Sequence, residues 1–84
     1  MNRDTAIVML NLHKRGIVVD LEVPLNITAN ELVVALNTAY DLGIDTSDIK
    51  NCYLKAEEPI ALLKGDKTLA EFGIRCGSVI NFTE

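Results

Sequence analysis

The sequence has few of the residue types from which metal and redox centres are built. It contains one histidine, two cysteines and no tryptophan. Cys52 and Cys76 lie far apart and form no CxxC pair, so neither a zinc site nor a four-cysteine iron–sulfur site can be assembled. We interpret both as reduced thiols, which are the rule in the cytosol. The sequence therefore predicts no metal ion and no cofactor.

Positive charge and long apolar runs are also scarce. Lys and Arg total 8 against 12 Asp and Glu, which gives a formal net charge of -4. Because nucleic-acid affinity comes largely from Lys and Arg, this balance argues against DNA or RNA binding. No segment approaches the roughly 18 apolar residues of a membrane-spanning helix, and no signal-peptide pattern opens the chain. We expect a cytoplasmic protein without direct membrane insertion.

The remaining composition is typical of one small globular domain. Hydrophobic residues make up 49% of the 84 residues and charged residues 24%, which indicates a folded chain. No repeat, low-complexity segment or linker interrupts it. We therefore predict a single domain over residues 1–84.

Two β-rich runs near the N-terminus predict a hairpin. Residues 6–12 and 17–23 are separated by HKRG, whose Gly16 can adopt the positive φ of a short loop. The two-residue period of a strand turns Asp20 and Glu22 towards water. It turns Val19, Leu21 and Val23 inward, and likewise Val8, Leu10 and Leu12. The predicted register places Leu12 opposite Ile17, Leu10 opposite Val19, and Val8 opposite Leu21.

A helix with defined ends follows the hairpin. Thr28 and Glu31 fit a capping box, and Gly43 fits the left-handed position after a helix, so we predict a helix over residues 29–42 with Ile44 folding back onto its last turn. Its predicted inward side contains Leu32, Val33, Ala35, Leu36, Ala39, Tyr40 and Leu42. Its predicted outward side contains Val34, Asn37, Thr38 and Asp41.

The second half of the chain predicts further strands in NCYLKA, PIALL and SVINF. Together with the hairpin they give an α+β fold, in which a mixed sheet of four to five strands carries one main helix on one face. This arrangement is the β-grasp architecture. The face that the helix leaves uncovered is called the outer face below.

The residues that carry a family resemblance lie along most of the chain. The hairpin ending DLEVP, the pair Gly43-Ile44 and the segment KTLAEFGIRCGSVINF are similar to ubiquitin. The resemblance implies that Leu69, Phe72 and Ile74 fill the bottom of the core and that Gly77 permits a tight turn into the last strand. Among ubiquitin-like proteins, the short acidic chain resembles the YukD/EsaB family of bacterial type VII secretion systems.

This resemblance implies a non-catalytic function. Family members are accessory or regulatory proteins that work beside the membrane machinery for export of WXG100 proteins, including its FtsK/SpoIIIE-type ATPase. The partner implied is this ATPase or another secretion component. The family has no catalytic motif that could be carried over to this sequence.

The sequence ends in VINFTE, without the Gly-Gly by which ubiquitin and sulfur carriers react. We expect Ile80 and Phe82 to face inward and Asn81 and Thr83 to face outward, so that only Thr83 and Glu84 follow the strand. The sequence therefore predicts a protein that is not conjugated. A modifier or sulfur carrier that serves an activating enzyme is the alternative, as is a generic β-grasp adaptor.

Candidate catalytic residues are few. A nucleophile needs a neighbouring base, but Cys52 is predicted to be buried and Cys76 lies in a turn far from His13. Adjacent acids such as Glu57-Glu58 are typical of a solvated corner. The basic HKR turn could dock on an acidic partner or on lipid headgroups, although a charged hairpin tip is commoner. The sequence predicts no enzyme and no catalytic residue.

Strand alternation instead directs several apolar side chains to the outer face, through which ubiquitin binds most of its partners. We predict a partner-binding site, or a surface for homodimerisation, formed by Ile7, Met9, Val18, Tyr53 and Val79. Polar side chains interrupt it at Asn11, Asp20, Lys55 and Asn81. Isolated apolar residues are also ordinary on protein surfaces, which is the alternative interpretation.

Overall fold

A computed structural model describes residues 4–82 as a five-stranded mixed sheet with one main helix. The strand order is β2-β1-β5-β3-β4; β1 and β5 are parallel, and the other pairs are antiparallel. The elements are β1 Thr5–Leu12, β2 Ile17–Pro24, α1 Ala29–Tyr40, β3 Leu54–Glu57, β4 Ala61–Leu63 and β5 Val79–Phe82, with 3-10 helices at His13–Arg15 and Thr46–Asn51. The predicted α+β architecture is confirmed.

The N-terminal hairpin has the predicted register. Leu12 lies opposite Ile17, Leu10 opposite Val19, and Val8 opposite Leu21. Gly16 closes the turn at φ 62°, and its N–H donates to the His13 carbonyl. The alternation places the inward side chains of β1 in the core, which they share with the buried side of α1.

The start of α1 is as predicted, but its end is not. Thr28 and Glu31 form both hydrogen bonds of the capping box. The helix stops at Tyr40, two residues early, because Asp41 itself takes the left-handed position at φ 52°. Ala35 and Ala39 are exposed rather than inward, since their short side chains lie at the flank of the buried stripe.

The segment before β5 closes the bottom of the core. Leu69 and Ile74 are buried and Phe72 is half-buried, as the ubiquitin resemblance implied. The Leu69 N–H donates to the Ile27 carbonyl, which ties the segment to the start of α1. Gly77 adopts φ 93° and its N–H donates to the Ile7 carbonyl, so the chain turns directly into β5.

The third and fourth strands begin later than predicted. Residues 51–53 of the predicted third strand lie before β3, because Asp45 caps a 3-10 helix that continues to Asn51. The predicted strand over residues 59–63 is shortened to β4, since Pro59 and Ile60 form the preceding turn. Tyr53 therefore lies outside β3, and Ile60 outside β4.

Candidate interaction face

The outer face presents side chains in rows that cross the strands. One row runs Asp20, Met9, Val79 and Glu57, in the order of the strand pairs β2-β1, β1-β5 and β5-β3. The next row consists of Val18, Asn11, Asn81, Lys55 and Leu62. The first row therefore has two apolar side chains at its centre and a carboxylate on either side.

Ile7, Met9 and Val79 form the apolar centre of this face and are called the Met9 cluster. Met9 and Val79 are direct partners on parallel strands, and Ile7 lies two residues before Met9 on the same side of β1. Ile7 is 55% exposed and Met9 38%, while Val79 is half-buried between its neighbours. Three of the five predicted residues are thus adjacent on the surface.

The other two predicted residues lie apart from this cluster. Val18 is 58% exposed but lies opposite Asn11, in the polar row. Tyr53 precedes β3 and lies beyond Lys55, so the polar row separates it from Met9. The structure brings together the cluster on β1 and β5 and leaves Val18 at its margin and Tyr53 at the opposite end of the face.

Asn81 faces outward, as predicted, but it is only 8% exposed because two neighbouring elements cover it. Its side-chain N–H donates to the Glu57 carboxylate at 3.0 Å. Its side-chain oxygen lies 2.9 Å from His13 Nε2. Since a carboxylate only accepts hydrogen bonds, the amide oxygen faces the histidine, which must donate. The three side chains bridge β5 to the hairpin turn and to β3.

Two exposed apolar residues on this face were not predicted from the sequence. Leu62 is 50% exposed and Ile60 is 91% exposed. They line an open groove of about 700 Å³ next to Lys55, Glu57 and Asn81. The alternation of Leu62 with buried Leu63 is a signal that could have identified the first of them, once β4 was known to start at Ala61.

The two cysteines considered for catalysis make contacts within the fold. Cys52 is buried, with its thiol 3.4 Å from the Asp45 carbonyl, and Cys76 is exposed, with its sulfur accepting the Ile7 N–H. The Glu58 carbonyl accepts the Ser78 hydroxyl. Within residues 4–82, no three side chains of metal-binding type come together. The two cysteine sulfur atoms and the Ser78 hydroxyl thus have hydrogen-bond partners within the fold.

The basic turn between β1 and β2 also has a structural contact. The Arg15 guanidinium donates to the Tyr40 and Asp41 carbonyls, at 2.7 Å each. These carbonyls lie at the C-terminal end of α1, where positive charge is favourable. Arg15 thus joins the hairpin to the helix. None of the helices in the described part of the chain is long and apolar enough to cross a membrane.

Solved structures share this fold at low sequence identity. The UBL domain of yeast Ddi1 is 14% identical, with a TM-score of 0.66 over 96% of this chain and 90% of that one. The C-terminal ubiquitin-like domain of mouse tubulin-specific chaperone e is 12% identical, with a TM-score of 0.69 over 96% and 89%. A ubiquitin-like domain from tubulin-binding cofactor B is 16% identical, with a TM-score of 0.71 over 93% and 87%. These likenesses establish a ubiquitin-like β-grasp fold and nothing further.

The family assignment comes from the sequence itself. A search among curated proteins found no match to the chain. The family model described as "WXG100 protein secretion system (Wss), protein YukD" matches residues 7–81, which include every strand of the sheet at least in part. The predicted resemblance is therefore confirmed, and the chain belongs to the YukD family of the WXG100 protein secretion system.

Proposed function

We propose that this YukD-family chain is a non-catalytic, non-conjugated accessory protein of type VII secretion, which acts in the cytoplasm by binding a protein partner through its outer face. The observation that carries the proposal is the Met9 cluster, a group of adjacent apolar side chains at the centre of the outer face, in which Ile7 and Met9 are exposed and Val79 is half-buried. Family membership supports a partner within the secretion machinery, with the membrane ATPase as the first candidate.

The geometry supports binding at this face for two reasons. Adjacent exposed apolar side chains can be covered by one partner surface at once, whereas the same residues scattered singly cannot. The sheet beneath them is held by the paired strands β1 and β5 and by the Asn81 bridge. A rigid surface loses little conformational entropy when a partner docks.

Substitution within the cluster tests the site. We expect Met9→Asp and Val79→Asp, separately and together, to abolish co-purification of the tagged chain with the secretion ATPase, because a carboxylate at the centre of an apolar interface must be desolvated. Circular dichroism should show an intact fold. Val34→Asp is the matched control, since Val34 is 44% exposed on α1, away from the outer face. Undiminished capture by the Met9 and Val79 variants would reject the site.

Intact-mass spectrometry tests the non-conjugated part of the proposal. Protein recovered from its own cells should have the mass of the unmodified chain. A C-terminal adenylate, a thiocarboxylate or a conjugate with another protein would support the modifier or sulfur-carrier alternative instead.

A further inference from the structure

We propose that the partner segment recognised by the outer face carries lysine or arginine side chains around an apolar centre, and that Asp20 and Glu22 receive those cations. The inference rests on the proposed function, because it assigns the chemistry of the partner at the same face. It follows from how charged side chains are placed around the Met9 cluster.

Each exposed apolar residue of β1 has a carboxylate directly across on β2. Met9 lies opposite Asp20 and Ile7 opposite Glu22. Both acids are exposed, and neither side chain takes part in a hydrogen bond or an ion pair in the part of the chain that the structure describes. A cation that docks over the cluster can therefore reach both carboxylates without displacing an existing partner.

A third carboxylate limits the cluster on the other side. Glu57 lies opposite Val79, and one of its oxygens, Oε2, accepts the Asn81 N–H. This contact draws the Glu57 carboxylate towards Asn81 in the next row and leaves Oε1 available as an acceptor. The cationic Lys55 lies in the next row, opposite Asn81. Carboxylates thus border the apolar centre on its β2 side and on its β3 side, and two of the three lie on β2.

This arrangement distinguishes a basic protein segment from other occupants of the face. A second copy docked symmetrically would bring three carboxylates of each chain towards those of the other, which is unfavourable. An anionic lipid surface would be repelled by the same groups. A segment with an apolar stripe between lysine or arginine residues satisfies both the cluster and its acidic border.

Helical model peptides and the full isotope-labelled chain test this chemistry by nuclear magnetic resonance. We expect a peptide with a leucine stripe flanked by lysines to shift the amides of Met9, Asp20 and Val79, and to bind more weakly as salt is added. A peptide with glutamates in place of the lysines should not bind there. Neither should a peptide with serines in place of the leucines. Equal binding by either of these peptides would overturn the inference.

Charge reversal on the protein provides the matched comparison. The double variant D20K/E22K should bind the leucine–lysine peptide about tenfold more weakly, because two attractive contacts become repulsive. Lys55→Glu, on the same face but in the next row, should not weaken binding. Unchanged affinity of D20K/E22K would overturn the inference. If the chain dimerises and Met9→Asp abolishes the dimer, the inference is also overturned, because the face then binds a second copy of the chain.

Capture from cells separates this inference from the proposed function. If Met9→Asp and Val79→Asp lose capture of the secretion ATPase while D20K/E22K retains it, the partner binds at the outer face but the inference of a basic partner segment is wrong. If all of these variants retain the ATPase, the proposed function itself fails. We expect the Met9 and Val79 variants and D20K/E22K all to lose capture of the ATPase, and Lys55→Glu to retain it.

Discussion

The side chain of Asn37 bonds both backbone groups of Ile44. Its N–H donates to the Ile44 carbonyl at 3.0 Å, and its oxygen accepts the Ile44 N–H at 2.9 Å. One residue of α1 thereby closes the loop that follows the helix. Ile44 is half-buried against the core. Water therefore has limited access to its backbone N–H and carbonyl, and is a poor replacement for the Asn37 amide as their hydrogen-bond partner.

Removal of this amide should destabilise the fold measurably. We expect Asn37→Ala to lower the free energy of unfolding by about 1–3 kcal/mol, because it leaves partly buried backbone groups unpaired. Thr38→Ala is the control, since Thr38 is exposed on the same helix and should change stability by less than about 0.5 kcal/mol. Urea denaturation of both variants measures the difference. Equal effects would show that the contact contributes nothing.

Thr68 and Glu71 form a capping arrangement like that of Thr28 and Glu31, and it makes the stability of the fold depend on pH. The Glu71 carboxylate accepts the backbone N–H and the hydroxyl of Thr68, while the Thr68 hydroxyl accepts the Glu71 N–H. The hydrogen bond from the Thr68 backbone N–H lowers the pKa of Glu71 the most, and the hydrogen bond from the Thr68 hydroxyl lowers it further. The charge of Lys67 adds to the effect. Protonation of Glu71 in the folded state therefore requires a lower pH than in the unfolded chain.

The sign of the effect on stability follows from this lowered pKa. The contribution of Glu71 is present above the ordinary glutamate pKa of about 4.3 and is lost as the pH falls through the lower folded value. We expect Glu71→Gln to be less stable than the parent at pH 7, and this difference to shrink in acid. Thermal unfolding across the acid range measures it, with Glu22→Gln as a control at an unpaired acid. A difference that does not change with pH would contradict the assignment.

The parts of the fold that the sequence could predict are those set by nearby residues. The register of the hairpin follows from Gly16 and from the alternation of Asp20 and Glu22 with apolar residues. The start of α1 follows from Thr28 and Glu31, three residues apart. In both cases local geometry fixes the interacting groups. In the hairpin, a one-residue shift would have placed Asp20 and Glu22 in the core.

The errors occur where distant contacts decide the outcome. The early end of α1 goes with the hydrogen bonds of Arg15, in the hairpin turn, to the Tyr40 and Asp41 carbonyls. The burial of Asn81 requires His13 and Glu57 from two other elements. For the same reason, the predicted site combined residues that belong to different rows of the outer face. The separation of Tyr53 from Met9 depends on the register of β3 against β5, which pairs Lys55 with Asn81 and Glu57 with Val79.

Two leucines, one in the core and one on the outer face, allow the cost of losing buried packing to be compared with that of losing an exposed side chain. Leu69 is fully buried at the bottom of the core, whereas Leu62 is 50% exposed on the outer face. We expect Leu69→Ala to cost about 2–5 kcal/mol through lost burial and the resulting cavity. Leu62→Ala should cost less than about 1 kcal/mol. Chemical denaturation compares them, and a similar cost for both would contradict the assigned burial.

The hydrogen bond between Asn81 and Glu57 predicts that a carboxylate at position 81 would repel the Glu57 carboxylate. In Asn81→Asp, a second carboxylate replaces the N–H that Glu57 accepts, in a position that is almost closed to water. We expect this variant to lose about 1–3 kcal/mol of stability at neutral pH. Asn11→Asp is the control, because Asn11 lies in the same row opposite Val18 and Asn81, with no carboxylate across from it.

The second substitution follows from the same geometry. Glu57→Gln removes the negative charge and supplies an N–H that the new carboxylate can accept, so the double variant N81D/E57Q should be more stable than N81D alone. On the parent background, Glu57→Gln should instead be neutral or mildly destabilising, since it weakens a charge-assisted hydrogen bond. Urea denaturation of the four proteins gives the coupling energy between the two positions. Additive losses would show that Asn81 and Glu57 are neighbours without a direct interaction, and would remove the support that this bridge gives to the outer face.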